Sequence, residues 1–182
     1  MKTFSVENLA RGGIIAALYV VLTYIFAPIS FGPIQVRIAE MLTILPLFTP
    51  AAVPGLFIGC FLGNILGGAI VIDVVCGSIA TLIGAVGGYL LRRNRWLVPI
   101  PAIIANMVIV PLVLRYGYGI DMPLLPMALY VGIGEVLSCF VLGELLATLL
   151  YRYPKLFQLS GLIRGGRAVS GVSGRIRADR FI

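Results

Sequence analysis

The stretch from Ile72 to Leu91 reads IDVVCGSIATLIGAVGGYLL, and the basic run RRNR follows it directly at positions 92–95. Its only charged residue is Asp73, at the second position. A transmembrane helix needs about 20 consecutive, mostly apolar residues. Arginines directly after such a segment are typical of its cytoplasmic end. This stretch therefore predicts a membrane-spanning helix that ends in the cytoplasm.

The rest of the chain has a similarly apolar composition. Hydrophobic residues make up 60% of its 182 residues and charged residues 12%, against about 45–50% and about 25% in soluble domains. The mean hydropathy is +1.06. Because so few polar side chains cannot cover a surface exposed to water, the composition predicts an integral protein of the lipid bilayer.

Five further apolar segments accompany this one. Approximately, they run from Asn8 to Ala27, Arg37 to Phe48, Gly55 to Gly68, Val98 to Leu114 and Pro123 to Tyr151. The second and third segments of the chain are short for a complete span. We therefore predict an all-α integral membrane protein with six transmembrane helices within residues 1–153.

The basic residues predict the orientation. With six spans, twelve of the 14 Lys and Arg residues lie on the side that holds both termini. The positive-inside rule places that side, and hence the N- and C-termini, in the cytoplasm. Residues 154–182 form a predicted basic cytoplasmic tail, which attraction to anionic lipid headgroups explains without a nucleic-acid partner.

The sequence lacks the residues or motifs of several common catalytic, metal-binding and nucleotide-binding sites. It has no histidine, which excludes imidazole-based catalysis and ligation. Cys60, Cys76 and Cys139 lie in apolar stretches without CxxC spacing, as expected of buried thiols rather than of disulfides or metal ligands. No GxxxxGK[ST] phosphate-binding loop occurs. We therefore expect no cofactor, no metal and no ATP binding by this chain, and no enzyme activity that depends on these groups.

Ionisable residues inside a membrane are costly and indicate a functional role. Glu135 lies near the middle of the last predicted span, with no basic residue close in sequence. It either pairs with Arg115 or Arg37 of another helix or contacts a polar ligand, which we prefer. Arg37 and Glu40 share one face of the second helix, where they form either a local ion pair or a polar rim for a solute that binds from outside.

Four other polar residues allow two interpretations each. Asp73 begins the fourth span, where a carboxylate caps a helix N-terminus or contacts a ligand. Asn64 and Asn106 lie within spans and form interhelical hydrogen bonds or bind a ligand. Glu144 lies toward the cytoplasmic end, where snorkelling or a pair with Arg152 suffices.

Small residues four positions apart let helices approach closely. On the first helix they form two such pairs, Gly12 with Ala16 and Gly13 with Ala17. This face either packs within the chain or forms a docking surface for another subunit.

These residues alone leave three functions open. The chain is a substrate-capturing transport subunit that needs a partner to supply energy, an intramembrane enzyme that uses Glu135 and Asp73, or a proton-coupled carrier that uses Glu135. We favour the first, since no nucleophile–base pair and no inverted repeat is visible.

The stretch FGPIQVRIAEMLTILP at positions 31–46 resembles the signature of the QueT family. The resemblance continues through Gly59–Asn64 and the Asp73 region and covers about residues 5–153. Proteins of this family are S components, the substrate-binding subunits of energy-coupling factor (ECF) transporters, assigned to queuosine precursors. The resemblance implies six helices, an outward-facing site, and a complex with a transmembrane coupling subunit and two cytoplasmic ATPases.

The resemblance also implies a ligand, a 7-deazaguanine base. Glu135 and Glu40 would accept its N–H donors, amide side chains would bind its polar edge, and an aromatic ring would stack on it. Riboflavin or thiamine, which other S components carry, is the alternative. The predicted substrate-binding residues are Phe31, Gln35, Arg37, Glu40, Asn64, Asp73, Asn106, Tyr130 and Glu135. S components typically dock through Ala-x-x-x-Ala on the first helix, which Gly13-Ile-Ile-Ala-Ala17, or Gly12 with Ala16, replaces here.

Overall fold

The computed structural model describes residues 6–30 and 36–152. These residues form helices and turns, with no strand among them. Contacts divide the chain into two units, Met1–Thr148 and Leu149–Ile182. The arrangement given below is that of the first unit. The predicted tail, 154–182, lies outside the described residues.

Helices of three kinds follow one another along the chain. Their bounds are α1 Val6–Ile25, α2 Ala27–Ser30, a 3₁₀ helix Ile38–Leu47, α3 Ala52–Leu66, α4 Val71–Leu90, a 3₁₀ turn Arg95–Leu97, α5 Ile100–Tyr116, α6 Leu124–Glu135, a π segment Val136–Leu142 and α7 Gly143–Arg152. The 3₁₀ helix Ile38–Leu47 is called the central helix below.

Four helical segments are long and apolar enough to cross a membrane, namely Val6–Ile25, Val71–Leu90, Arg95–Tyr116 and Leu124–Arg152. The two segments that looked short in the sequence are shorter apolar helices, Ile38–Leu47 and Ala52–Leu66. The all-helical membrane class is therefore confirmed for the described residues. Six complete spans and cytoplasmic termini stay predictions.

The central helix lies inside the bundle. Helix α1 packs on α3, α3 on α4, α4 on α5 and α5 on α6, while the central helix contacts α1, α3, α4 and the π segment. Every residue from Leu42 to Pro46 is buried, as is Glu40. The sequence predicted Glu40 near the outer rim. The structure shows its side chain buried, because the helix that carries it is surrounded by other helices, and its depth in the membrane stays a prediction.

Two features of backbone geometry shape the bundle. A Cβ atom added to Gly55 would lie 2.7 Å from the carbonyl oxygen of Gly12, so the backbones of α1 and α3 are in contact. The π segment interrupts the last span just after Glu135 and buries Ser138 and Cys139. Ten residues of continuous 3₁₀ helix and a π segment are both uncommon, and both recur at functional sites.

Candidate functional site

Glu40 is the centre of a buried polar cluster. Its side chain is 0% exposed. The hydroxyl of Tyr19 on α1 donates to its Oε1 atom at 2.5 Å, and the hydroxyl of Thr81 on α4 donates to the same atom at 2.9 Å. Its Oε2 atom has no hydrogen-bond partner among the described residues. Two hydroxyl groups thus orient the carboxylate through one of its oxygens.

Glu135 brings a second carboxylate to the same place. It ends α6 and is 1% exposed. The thiol of Cys139, one turn later, donates to its Oε2 atom at 3.1 Å. One ligand atom from each of Glu40, Glu135 and Cys139 lies within 4.8 Å of the other two. The central helix and the last span therefore place two carboxylates side by side in an interior without water contact.

Asn106 faces this pair from α5. It is 1% exposed, and its side chain interacts with Glu135. Its amide oxygen has no hydrogen-bond partner in the part of the chain described. Leaving a buried polar atom without a partner costs about 1–3 kcal/mol. Such atoms in a native protein indicate a missing ligand or water.

A second polar group lies around the first turn of α4. Arg37 and Asp73 form a buried ion pair at 3.5 Å. The hydroxyl of Tyr118 donates to the other oxygen of Asp73 at 3.0 Å. A Cβ atom on Gly77 would lie 3.1 Å from Nδ2 of Asn64, 3.4 Å from Asp73 and 3.5 Å from Arg37. These three side chains therefore meet over Gly77, whose missing side chain makes room for them.

Tyr118 lies in the loop between α5 and α6, outside the apolar spans. Partial burial, and then the neighbouring Asp73 carboxylate, raise the pKa of this phenol. Tyr118 therefore keeps its proton at neutral pH and continues to donate to Asp73. It links the loop between α5 and α6 to the Arg37–Asp73 pair.

The structure brings most of the predicted binding residues together. Six of them are buried in the two polar groups, namely Arg37, Glu40, Asn64, Asp73, Asn106 and Glu135. Phe31 and Gln35 lie outside the described residues. Tyr130 is 45% exposed, because five helical positions turn it about 140° away from Glu135. Its position does not support the predicted stacking role.

Two structural interpretations of charged residues also need correction. Asp73 does not cap α4, since Ile70 is the N-cap residue and no side chain caps that helix end. Its carboxylate binds Arg37 and Tyr118 instead. Glu144 pairs with Arg95 at 2.6 Å rather than with Arg152.

The sequence interpretation missed three residues of the cluster. Cys139 lies four positions after Glu135, and this helical spacing was a signal that the two share a face. Thr81 is a hydroxyl residue within an apolar span, which was a weaker signal. Nothing in the sequence indicates that Tyr19 reaches Glu40, since that contact depends on how α1 packs beside the central helix.

The predicted docking face of α1 divides into two rows. Gly12 and Ala16 are buried in the packing of α1 on α3, whereas Gly13 and Ala17 are exposed. One residue turns a helix by about 100°, so the two rows face different directions. Only Gly13 and Ala17 are accessible to a partner in this structure, and the docking role of this face stays a prediction.

The comparisons with known proteins give one match. The model of a family described as QueT transporter matches residues 9–152. The match includes every described residue of both polar groups. No curated protein and no solved structure matches the chain.

Proposed function

Because the chain belongs to the QueT transporter family, we propose that it is the substrate-binding S component of an ECF-type importer and captures a queuosine precursor from outside the cell. It is a multi-pass protein of the plasma membrane and a transporter component rather than a member of an enzyme family. The substrate and the partner subunits are parts of this proposal.

One observation supports the binding role most strongly. In the buried cluster, Oε2 of Glu40 and the amide oxygen of Asn106 lack partners among the described residues. Such a set offers acceptors for N–H groups. A 7-deazaguanine base carries several N–H donors and a lactam oxygen, and is complementary to these groups.

The enzyme alternative required Glu135 and Asp73 to act as a carboxylate pair. Asp73 already binds Arg37 and Tyr118, and the carboxylate beside Glu135 is that of Glu40. This arrangement supports recognition of a ligand rather than acid–base catalysis by the pair that the sequence suggested.

Energy for uptake comes, in this proposal, from a transmembrane coupling subunit and two cytoplasmic ATPases. The sequence has no phosphate-binding loop of its own. The exposed row of Gly13 and Ala17 on α1 is the docking surface for the coupling subunit, because small residues allow close contact between helix backbones.

Replacing Gly13 with Leu should abolish uptake and leave substrate binding intact. A Cβ atom at Gly13 meets no other atom within 4 Å, so the fold accepts the larger side chain, while a docked helix would be pushed away. Uptake of radiolabelled base is measured in cells that express all subunits, and binding is measured on the purified chain.

Gly13→Ala is the matched control and should retain uptake, since it keeps the surface small. Full uptake by Gly13→Leu would refute this docking surface. Concentrative uptake by the purified chain alone in liposomes under a proton gradient would refute the need for ATPase partners.

A further inference from the structure

A basic turn connects two of the apolar helical segments. The run Arg92-Arg93-Asn94-Arg95 lies where Val71–Leu90 ends and Arg95–Tyr116 begins, and each of these segments is long and apolar enough to cross a membrane. A short connection between two spans lies at a face of the bilayer. These guanidinium groups are therefore at the level of the lipid headgroups.

Arg95 organises this turn. Its Nε atom and one terminal nitrogen donate to Oε2 of Glu144 at 2.8 and 2.6 Å, and the terminal nitrogen also donates to the hydroxyl of Thr148 at 3.1 Å. Its guanidinium carbon lies 4.9 Å from the centroid of the Trp96 ring. The other neighbour of that ring is Phe140, with the two centroids 6.0 Å apart. Glu144 thus balances the charge of Arg95, and Arg95 and Phe140 hold the indole in place.

The other two arginines carry charge that no acid balances. Arg92 and Arg93 are exposed, and neither forms an ion pair with a described residue. The guanidinium carbon of Arg92 lies 4.1 Å from the centroid of the Tyr89 ring, and this cation–π contact favours one placement of the side chain. A guanidinium presents a planar fork of N–H donors that matches a phosphate group. The turn therefore offers two positive charges to an anion at the membrane surface.

The apolar side chains around these arginines indicate the kind of anion. Leu90 is 73% exposed, Leu91 40% and Trp96 53%. Tryptophan is enriched at the boundary between headgroups and acyl chains, where one end of its ring is apolar and the other is polar. A phospholipid has the same order of parts, a charged phosphate outside and hydrocarbon beneath it. A lipid is thus complementary to both the basic and the apolar part of this surface.

We propose that Arg92 and Arg93 bind the phosphate of an anionic phospholipid, and that Trp96 packs beside its acyl chains. Basic residues next to a transmembrane helix attract anionic lipids, by roughly fivefold in affinity for each charge. The surface lies on the turn after α4, and the proposal is independent of which substrate the chain binds.

The fluorescence of Trp96 tests the proposal directly, because it is the only tryptophan among the 182 residues. The purified full chain is reconstituted into vesicles of phosphatidylglycerol and phosphatidylcholine in equal parts. Brominated acyl chains, which quench a tryptophan that they touch, are carried by the first lipid in one preparation and by the second in the other. Since both preparations have the same surface charge, their quenching gives the relative affinity of the two lipids beside Trp96. We expect a preference of about 5- to 30-fold for phosphatidylglycerol.

Variants then locate the preference. The double variant Arg92→Gln, Arg93→Gln should remove most of it, while Trp96 remains as the reporter. Arg115→Gln is the matched control, because this arginine is also exposed but lies in the last turn of α5, and it should keep the parent ratio. Thermal unfolding checks that both variants are folded.

Contrary results separate a lipid from other partners. Equal quenching by the two lipids in the parent chain overturns the proposal, as does a preference that the folded double variant retains in full. Equal quenching together with loss of uptake by the double variant, in cells that express all subunits, would assign the turn to a contact with a partner subunit instead. The vesicles contain no base, so none of the quenching results changes the proposed function.

Discussion

Glu135→Gln is expected to weaken binding of the queuosine precursor by about 10- to 150-fold, which corresponds to the 1.5–3 kcal/mol of a hydrogen bond to a charged group. The amide removes the negative charge and replaces one acceptor oxygen with an N–H₂ group. Because the residue is 1% exposed, water cannot take over the lost interaction. Calorimetric titration of the purified variant measures the change.

Two further variants show whether the effect is specific to the buried carboxylates. Tyr130→Phe changes an exposed residue of the same helix and should bind like the parent chain. Glu40→Gln should weaken binding as strongly as Glu135→Gln, since the two carboxylates lie side by side in the proposed site. Parent-like binding by Glu135→Gln together with loss in Glu40→Gln would show that only the central helix contacts the substrate.

Gly59→Val should lower stability strongly and also impair binding. A Cβ atom at this position would lie 2.7 Å from Cβ of Tyr19 and 3.0 Å from backbone atoms of Ala16. Inserting methyl groups into a packed contact costs about 1–3 kcal/mol, sometimes more. The displaced helix α1 also carries the Tyr19 hydroxyl away from Glu40. Thermal unfolding in detergent and substrate titration measure the two effects.

Gly13→Val is the matched control on α1. The same substitution there meets no atom within 4 Å, so the unfolding temperature and the affinity should both stay near those of the parent chain. An unchanged unfolding temperature for Gly59→Val would show that α1 and α3 are not in contact at this depth.

The four long apolar helices and the buried charged residues were predictable from sequence. An apolar run such as Ile72–Leu91 is expected only in a membrane or in a buried core. A single carboxylate within an apolar run, as at Glu135, is expected to have a polar partner. These signals depend on the local composition alone. They identified Glu135 and Asn106 without any knowledge of how the helices pack.

The relation between the helices could not be predicted in this way. The stretch that carries Glu40 looked like an ordinary second span, and its burial between α1, α3, α4 and the π segment depends on tertiary packing. For the same reason the sequence did not show that Tyr19 and Thr81 hold Glu40. It also did not show which pair of small residues on α1 is exposed, Gly12 with Ala16 or Gly13 with Ala17.

Recognition of a 7-deazaguanine by the buried cluster is the central claim, and direct titration of the purified chain tests it. The ligands are queuine, its aminomethyl and cyano precursors, riboflavin and thiamine. Calorimetry measures the binding of each, and thermal unfolding measures the stability of the chain with each. We expect saturable binding and a raised unfolding temperature with at least one deazaguanine, and neither effect with the two vitamins. Saturable binding of riboflavin or thiamine, with no response to any deazaguanine, would contradict the account.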